Sequence, residues 1–296
     1  MHRFHSRYVL MICYDFPGIY AAGVIRTYQL AKRLPSFGWQ SVILTAQGCS
    51  VNQEHNIETS DGQLNCPKIT VSPSRVFVPF QTDHHVPSNP LGGMKPQGKK
   101  GAKRLVQFAT QLGVPDGKIG WLLPAVRRGL QIARDYPIGM CFSVSPRPSS
   151  HLVAQRLARR LDIPWVADFS LPWSDAYWLS NRPRVIGWLD QQLEGSVVRS
   201  ADHITVAYPD IARSIRGRFS IGWQEKISVI PTGFNEDLFD SKIPPTSSKV
   251  TVVYPGNHFC EEGRHGEYFL KAIDELVSLD PGLGDKLEFV FMGKRD

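Results

Sequence analysis

The stretch "MCFSVSPRPSSHLVAQRLARRLDIPWVADF", residues 140–169, decides the fold of this chain. It opens on a short apolar run and closes on a second one. Between them Val153, Leu157 and Leu161 repeat every four residues, which predicts a helix over Ser149–Leu161 with one apolar face. Two apolar strands joined by such a helix form the unit from which parallel sheets are built.

The same alternation extends in both directions along the chain. Continuously apolar strands between amphipathic helices are typical of a parallel sheet that is covered on both faces. The sequence therefore predicts a doubly wound α/β domain. The predicted strands are Tyr8–Tyr14, Ser41–Thr45, Lys68–Val71, Met140–Ser145, Trp165–Ala167, His203–Val206 and Ile227–Ile230, and the predicted helices are Gly23–Phe37, Leu105–Leu112, Leu122–Tyr136, Ser149–Leu161, Arg182–Arg199 and Pro209–Phe219.

A break in composition divides the chain. Residues 231–249, "PTGFNEDLFDSKIPPTSSK", contain Pro, Ser and Thr and no core pattern, which predicts a linker. A second α/β unit follows, and a single βαβ unit of its size cannot bury both faces of its sheet. It either packs onto the first domain or is the incomplete start of a larger one. We expect domains at 1–235 and 250–296 and a linker at 236–249.

Charge and cysteine usage narrow the class of protein. The chain has 34 basic and 27 acidic residues, a formal net charge of +7. Residues 94–104 are strongly basic, which predicts either a solvated loop or contact with an anionic membrane or substrate. The sequence has no zinc-finger or RNA-recognition pattern, so nucleic acid is not an expected partner. The five scattered cysteines lack zinc-site spacing and predict a reducing, cytoplasmic location. If residues 94–104 contact anionic lipid, that location is peripheral to the inner face of the membrane. We expect no metal and no cofactor.

In a doubly wound sheet, ligands bind at the carboxyl ends of the strands, so the loops there are the first candidates for a site. Gly23 and Arg26 begin the helix after the first predicted strand. Amide groups at a helix start favour a phosphate, although small residues also suit a plain strand–helix turn. The sequence there is not G-x-G-x-x-G and has no P-loop lysine, which disfavours a nicotinamide enzyme or an ATPase.

Two later strand ends carry further candidates. After the strand at 140–145, Ser145 and Ser149 are candidate ligand contacts, and either Ser149 or Ser150 is a candidate cap for the next helix. His151, in the first turn of that helix, is either a catalytic group or a surface or capping residue.

The strand end at 166–175, "VADFSLPWSD", combines polar and aromatic residues. Asp168 could hold a sugar hydroxyl or a proton, or it could accept hydrogen bonds that fix the loop. Ser170 and Trp173 are candidate substrate contacts beside it.

Several segments resemble family 4-like glycosyltransferases, the sugar transferases with two Rossmann-like domains of the GT-B type. These are "YDFPGIYAAGVIRTYQLAKRLPSFGWQSVILTA", "VPDGKIGWLLPAVRRG", "FSVSPRPSSHLVAQRLARRLDIPWVADF", "ADHITVAYPDIARSI", "ISVIPTGFNEDLF" and "VVYPGNHFCEEGRHGEYFLKAIDEL", in the family's order. The resemblance implies transfer of a sugar from a nucleotide-sugar, with retention and without metal, to a polysaccharide or lipid-linked acceptor. It also implies that Gly256 and Arg264 contact the donor diphosphate.

The chain departs from the family's pattern in two places. Positions 168–173 usually read D-F-R-D-P-W, whereas this chain has Ser170 and Leu171 in place of the arginine and aspartate. The family's paired glutamates, E-x7-E, are expected beyond the last residue given. Both departures leave open an alternative, a non-catalytic binding module derived from a glycosyltransferase.

Overall fold

The computed structural model describes residues 8–16, 22–46, 66–74, 114–176, 179, 182–219, 224–234, 248–256 and 266–292. The chain divides into two compact units, Met1–Asp237 and Leu238–Asp296. The predicted helix Leu105–Leu112 and the basic segment 94–104 lie outside the described residues.

The first unit is built on one sheet of seven described strands. They are β1 Tyr8–Ile12, β2 Gln40–Ala46, β3 Lys68–Val71, β4 Ile138–Val144, β5 Trp165–Phe169, β6 His203–Val206 and β7 Ile227–Val229. All neighbours pair in parallel, in the order β3-β2-β1-β4-β5-β6-β7. The order reverses between β1 and β4. This sheet confirms the predicted doubly wound, Rossmann-like fold.

Helices cover both faces of the sheet. They are α1 Ala22–Arg33, α2 Leu122–Asp135, α3 Pro148–Leu161, α4 Arg184–Ser200 and α5 Pro209–Arg218. Side chains alternate between the two faces along a strand. Leu10 and Ile12 of β1 therefore pack in a larger core with α2, α3, α4 and α5. Val9 and Met11 face the other way and pack in a smaller core with α1. The same rule places successive residues of β5 on opposite faces.

A glycine sets the distance between α2 and α3, and a proline sets the end of α1. A Cβ on Gly129 of α2 would lie 2.5 Å from Leu157 Cδ1 of α3, so glycine allows the close approach of the two helices. The predicted helix Gly23–Phe37 ends earlier, at Arg33, because Pro35 lacks the amide that an α-helix needs. Leu34–Phe37 continues as a 3-10 turn that closes on Gly38, whose φ is 78°.

β5 is longer than predicted. Asp168 and Phe169 pair with Thr205 and Val206 of β6, so the strand runs on to Phe169 although its sequence turns polar at Asp168. The partner strand, and not the local pattern, therefore sets where β5 ends.

The second unit is a parallel pair of strands with one helix. β8 Val250–Pro255 and β9 Leu287–Met292 pair along their whole length, and α6 Gly266–Leu279 lies between them in the chain. These elements form a βαβ unit, as the sequence predicts for this part of the chain.

Candidate functional site

The reversal of strand order places the loops after β1, β4 and β5 along one edge of the sheet, where ligands of such folds bind. Two contacts tie the loop after β1 to the start of α3. Asp15 Oδ2 lies 3.1 Å from Arg147 Nε in an ion pair, and the Tyr14 amide donates to Ser150 Oγ at 3.1 Å. The start of α3 is thus fixed beside the end of β1.

Arg26 of α1 is clamped between two parts of the chain. Its Nε and Nη2 donate to the two carboxylate oxygens of Asp168 at 3.0 and 2.8 Å. Its Nη1 donates to the carbonyls of Ile230 and Pro231, just after β7. Thr205 Oγ1 adds a 2.5 Å hydrogen bond to Asp168 Oδ1. Both oxygens of this buried carboxylate therefore have internal partners.

His151 lies on the other side of the sheet from Asp168. It stacks on Phe169, which follows Asp168 in β5, with ring centroids 4.7 Å apart. Strand alternation points Asp168 towards α1 and Phe169 towards α3. The structure thus does not bring the two predicted catalytic residues together.

The imidazole of His151 is fully buried and held in a small polar cluster. Its Nδ1 lies 2.8 Å from Ser143 Oγ, which also accepts a 2.8 Å hydrogen bond from Trp165 Nε1. Burial lowers the pKa of His151 to about 3, so the ring is neutral at physiological pH. Among the described residues, its Nε2 has no hydrogen-bond partner.

The predicted contacts Ser145 and Ser170 bind each other. Ser145 Oγ accepts from the Ser170 amide at 2.9 Å, and Ser170 Oγ donates to the Ser145 carbonyl at 2.8 Å. Both residues are buried, and they join the ends of β4 and β5. Leu171, the other departure from the family's pattern, is 38% exposed.

Neither Ser149 nor Ser150 caps α3 with its own side chain. A residue that the sequence did not suggest takes that place. Asp116, 33 residues earlier, accepts from the Ser149 amide at 2.9 Å and from Ser149 Oγ at 2.5 Å. A carboxylate at a helix N-terminus meets both the unpaired amides and the positive end of the dipole. The sequence contains one indirect sign of this cap. The first turn of α3 contains no acidic residue of its own that could meet the positive end of the dipole.

Two buried carboxylates of α4 hold the loop after β5. Asp190 accepts from Trp173 Nε1 and pairs with Arg182, and burial raises the pKa of this carboxyl group. Glu194 accepts from the amide and hydroxyl of Ser174 and pairs with Arg218. Trp173 is thereby buried within the first unit.

The remaining predicted site residues are glycines and one arginine. Gly23 is the second residue of α1. Gly256 follows β8, and a Cβ there would lie 3.0 Å from the Tyr254 ring. Arg264 lies outside the described residues.

The described part of the chain lacks two features. It contains no group of three His, Cys, Asp or Glu side chains that could hold a metal ion. Its helices include none that is both long and apolar enough to cross a membrane.

Comparison with known proteins gives the family. Residues 23–233 match the glycosyl transferase 4-like domain. No curated protein sequence matches the chain.

Solved structures with this fold include GT-B glycosyltransferases. HepE of Anabaena in complex with UDP has 11% identity and a TM-score of 0.51, over 97% of this chain and 69% of that one. The sucrose-phosphate synthase of Thermosynechococcus elongatus has 14% identity and a TM-score of 0.50, over 98% and 71%. At these identities the structural likeness shows only the fold. The family match covers most of the chain and therefore shows the family. This protein belongs to the glycosyl transferase 4-like domain family.

Proposed function

We propose that this glycosyl transferase 4-like protein transfers a sugar from a nucleotide-sugar to a glycan or lipid-linked acceptor. The observation that carries the proposal is the family match over residues 23–233, which includes β2 to β7 and the sheet edge between them. UDP in the similar HepE structure favours a uridine diphosphate-sugar as the donor. Retention at the anomeric carbon and independence of metal are part of the proposal.

The donor diphosphate is proposed to meet the start of α1. Amide groups around Gly23 carry the positive end of the helix dipole, which favours an anion. Arg26 would add positive charge there, and Gly256 and Arg264 are proposed donor contacts of the second unit. Fixed positive groups of this kind stabilise a departing diphosphate without a metal ion.

Asp168 is proposed to act through Arg26. Its two oxygens already have partners in Arg26 and Thr205, so it is suited to orient the guanidinium and not to bind an acceptor hydroxyl directly. Ser145, Ser149, Ser170 and Trp173 are proposed to shape the acceptor side through the contacts described above. His151, buried and neutral, supports that side by packing.

The decisive experiment offers the chain a panel of UDP-, GDP- and ADP-sugars with glycan and lipid-linked acceptors. Release of the nucleoside diphosphate and the mass of the product are measured, with and without EDTA. We expect release from one nucleotide class, unchanged by EDTA, and a product whose anomeric configuration by NMR matches the donor. Absence of release from every donor would contradict the proposal.

Arg26→Lys tests the role of the clamp, because lysine keeps the charge but cannot bind both carboxylate oxygens as guanidinium does. We expect kcat/KM to fall by roughly 100-fold, the typical effect of misplacing a positioning group. The matched control is Arg213→Lys in the exposed Arg213–Asp210 pair of α5, which should leave kcat/KM unchanged.

One observation favours the alternative, a non-catalytic binding module. Asp168 and Ser170 direct their polar groups to partners inside the first unit. Such a module would bind a nucleotide-sugar in calorimetry and release no nucleoside diphosphate. The expected contact of residues 94–104 with anionic lipid and a cytoplasmic, membrane-peripheral location stay predictions.

A further inference from the structure

The first half of α4 has its apolar and charged residues in the reverse of the usual arrangement. Its inward side carries Asp190 and Glu194, both buried. Its outward side carries Val185, Trp188 and Leu189, which are 68%, 56% and 36% exposed. These three are spaced i, i+3 and i+4, so they form one stripe on the helix surface.

The contacts of the two buried carboxylates explain why the inward side of α4 is charged, but they do not explain the apolar stripe on its outward side. Asp190 and Glu194 bind the loop after β5 through Trp173 and Ser174. Among the described residues of the first unit, no comparable hydrogen bond or ion pair explains why the outward positions are Val, Trp and Leu. An exposed apolar stripe rimmed by polar residues is typical of a docking surface.

A cleft with several arginines in its lining lies at the C-terminal end of α4, on the same side of the helix as the stripe. Arg199 follows Trp188 by eleven residues, about three turns, so the two side chains share a face. A cleft of about 740 Å³ opens there between α3 and α4. Its charged lining residues are three arginines and two aspartates, namely Arg156, Arg159, Arg199, Asp162 and Asp202. Burial and the neighbouring Arg160 lower the pKa of Arg156. Three arginines against two aspartates leave the cleft with a net charge of one positive, which favours an anion.

The helices on this side of the sheet carry a large positive charge. α2, α3, α4 and α5 together contain eleven arginines, no lysine and four acidic residues. Asp190 and Glu194, two of the four, are buried in ion pairs. Eleven arginines minus four acidic residues leave these four helices with an excess of seven positive charges.

We propose that the outward face of α4 docks on an anionic membrane surface. α4 lies along the interface with Val185, Trp188 and Leu189 at the boundary of the acyl chains. Headgroup phosphates enter the arginine cleft between α3 and α4. Tryptophan favours this depth because its ring is apolar and its N–H is polar. An apolar face together with basic groups supplies the two signals that stable peripheral binding needs.

Charge complementarity selects this partner over two others. A second copy docked through the same face would bring two arginine-rich layers together, which costs free energy through repulsion. A soluble polyanion would match the arginines but leave the apolar stripe exposed. An anionic membrane, which has an apolar layer beneath its charges, satisfies both features.

The test uses the full chain and is independent of transferase activity. Cosedimentation is measured with vesicles of phosphatidylcholine alone and of equal parts phosphatidylcholine and phosphatidylglycerol, at low and high salt. One variant, Val185→Ser with Trp188→Ser, removes the stripe. Another, Arg156→Gln with Arg159→Gln and Arg199→Gln, removes charge from the cleft. The controls are Phe37→Ser, an aromatic residue 77% exposed in the 3-10 turn after α1, and Arg33→Gln.

We expect binding to the anionic vesicles only, weakened by salt and reduced at least roughly tenfold in each α4-face variant. Both controls should bind as the parent does, and unchanged circular dichroism melting checks that every variant is folded. Several results would overturn the proposal. They are no vesicle binding by the parent, parental binding by the stripe variant, a dimer that Trp188→Ser dissolves, or loss of binding only in a variant with Lys95, Lys99 and Lys100 changed to Gln.

Discussion

At the scale of the residue, the side chains with the strongest chemical signals are used to hold the sheet edge together. Asp168 pairs with Arg26, and Ser170 pairs with Ser145. His151 stacks on Phe169 with its Nδ1 on Ser143. Because these groups bind one another, any ligand at this edge meets surfaces that they position.

The Arg26–Asp168 pair should contribute strongly to stability. The Asp168 side chain is 1% exposed and that of Arg26 is 11% exposed, so Asp168→Asn leaves a largely desolvated guanidinium without its counterion. We expect the free energy of unfolding in urea to fall by about 3 kcal/mol. Asp210→Asn, in the exposed pair with Arg213, is the control and should cost less than about 1 kcal/mol. Equal losses in both variants would contradict the burial of this pair.

His151 should make stability depend on pH in a defined direction. Its pKa is about 3 in the folded chain and near 6.5 when unfolded, so between these values only the unfolded state binds the proton. Stability from the neutral ring is therefore complete above pH 6.5 and declines as the pH falls. From pH 7 to 5, the parent should lose about 2 kcal/mol more than His151→Phe in urea titrations. Parallel losses in the two proteins would refute a buried neutral imidazole.

At the scale of the element, the N-terminus of α3 depends on a residue from outside the helix. Asp116 binds the amide and hydroxyl of Ser149, and the Arg147–Asp15 pair fixes the residue before the helix. α4 has the complementary function, since Asp190 and Glu194 hold the loop that precedes it. Both helices are thus fixed to loops at the candidate site.

Asp116→Ala should destabilise the chain by about 1–2 kcal/mol, the range found when a helix cap is removed. Ser149→Ala should cost less, because the Ser149 amide keeps its hydrogen bond to Asp116 and only the hydroxyl contact is lost. The two variants are compared with the parent by urea denaturation. A larger loss in Ser149→Ala than in Asp116→Ala would show that the cap is assigned to the wrong residue.

At the scale of the whole molecule, the charges are unevenly distributed. The net charge of the chain is +7, and the four helices on one side of the first sheet hold eleven arginines against four acidic residues. The sheet order places the candidate site at the carboxyl edge, where α4 begins with its exposed stripe. The proposed membrane surface therefore starts beside the proposed site.

Limited proteolysis should release a stable fragment that contains the first sheet. Parallel strands buried beneath helices on both faces resist local opening. The Pro- and Ser-containing sequence at 231–249 is of the composition that proteases prefer. We expect the first cuts, identified by mass spectrometry, within 73–120 or 231–249. First cuts within 140–206 would contradict the division into these units.

The sequence by itself determined the order of strands and helices in this protein. β3 and β6 have the predicted bounds, and the helix inferred from Val153, Leu157 and Leu161 is α3 with one residue added. Those signals are local, since the spacing of apolar residues reflects which side of an element is buried. The carboxyl-edge location of the candidate site followed from the same pattern.

Only the tertiary structure decided how the polar groups are used. Arg26 and Asp168 are 142 residues apart and Asp116 and Ser149 are 33 apart, so no local spacing links them. Strand alternation could separate Asp168 from its neighbours in β5 but could not show that His151 packs on the opposite face. A hydrogen bond between distant residues exists only after the sheet has brought its strand ends together, and for that reason the roles of these residues depend on the fold.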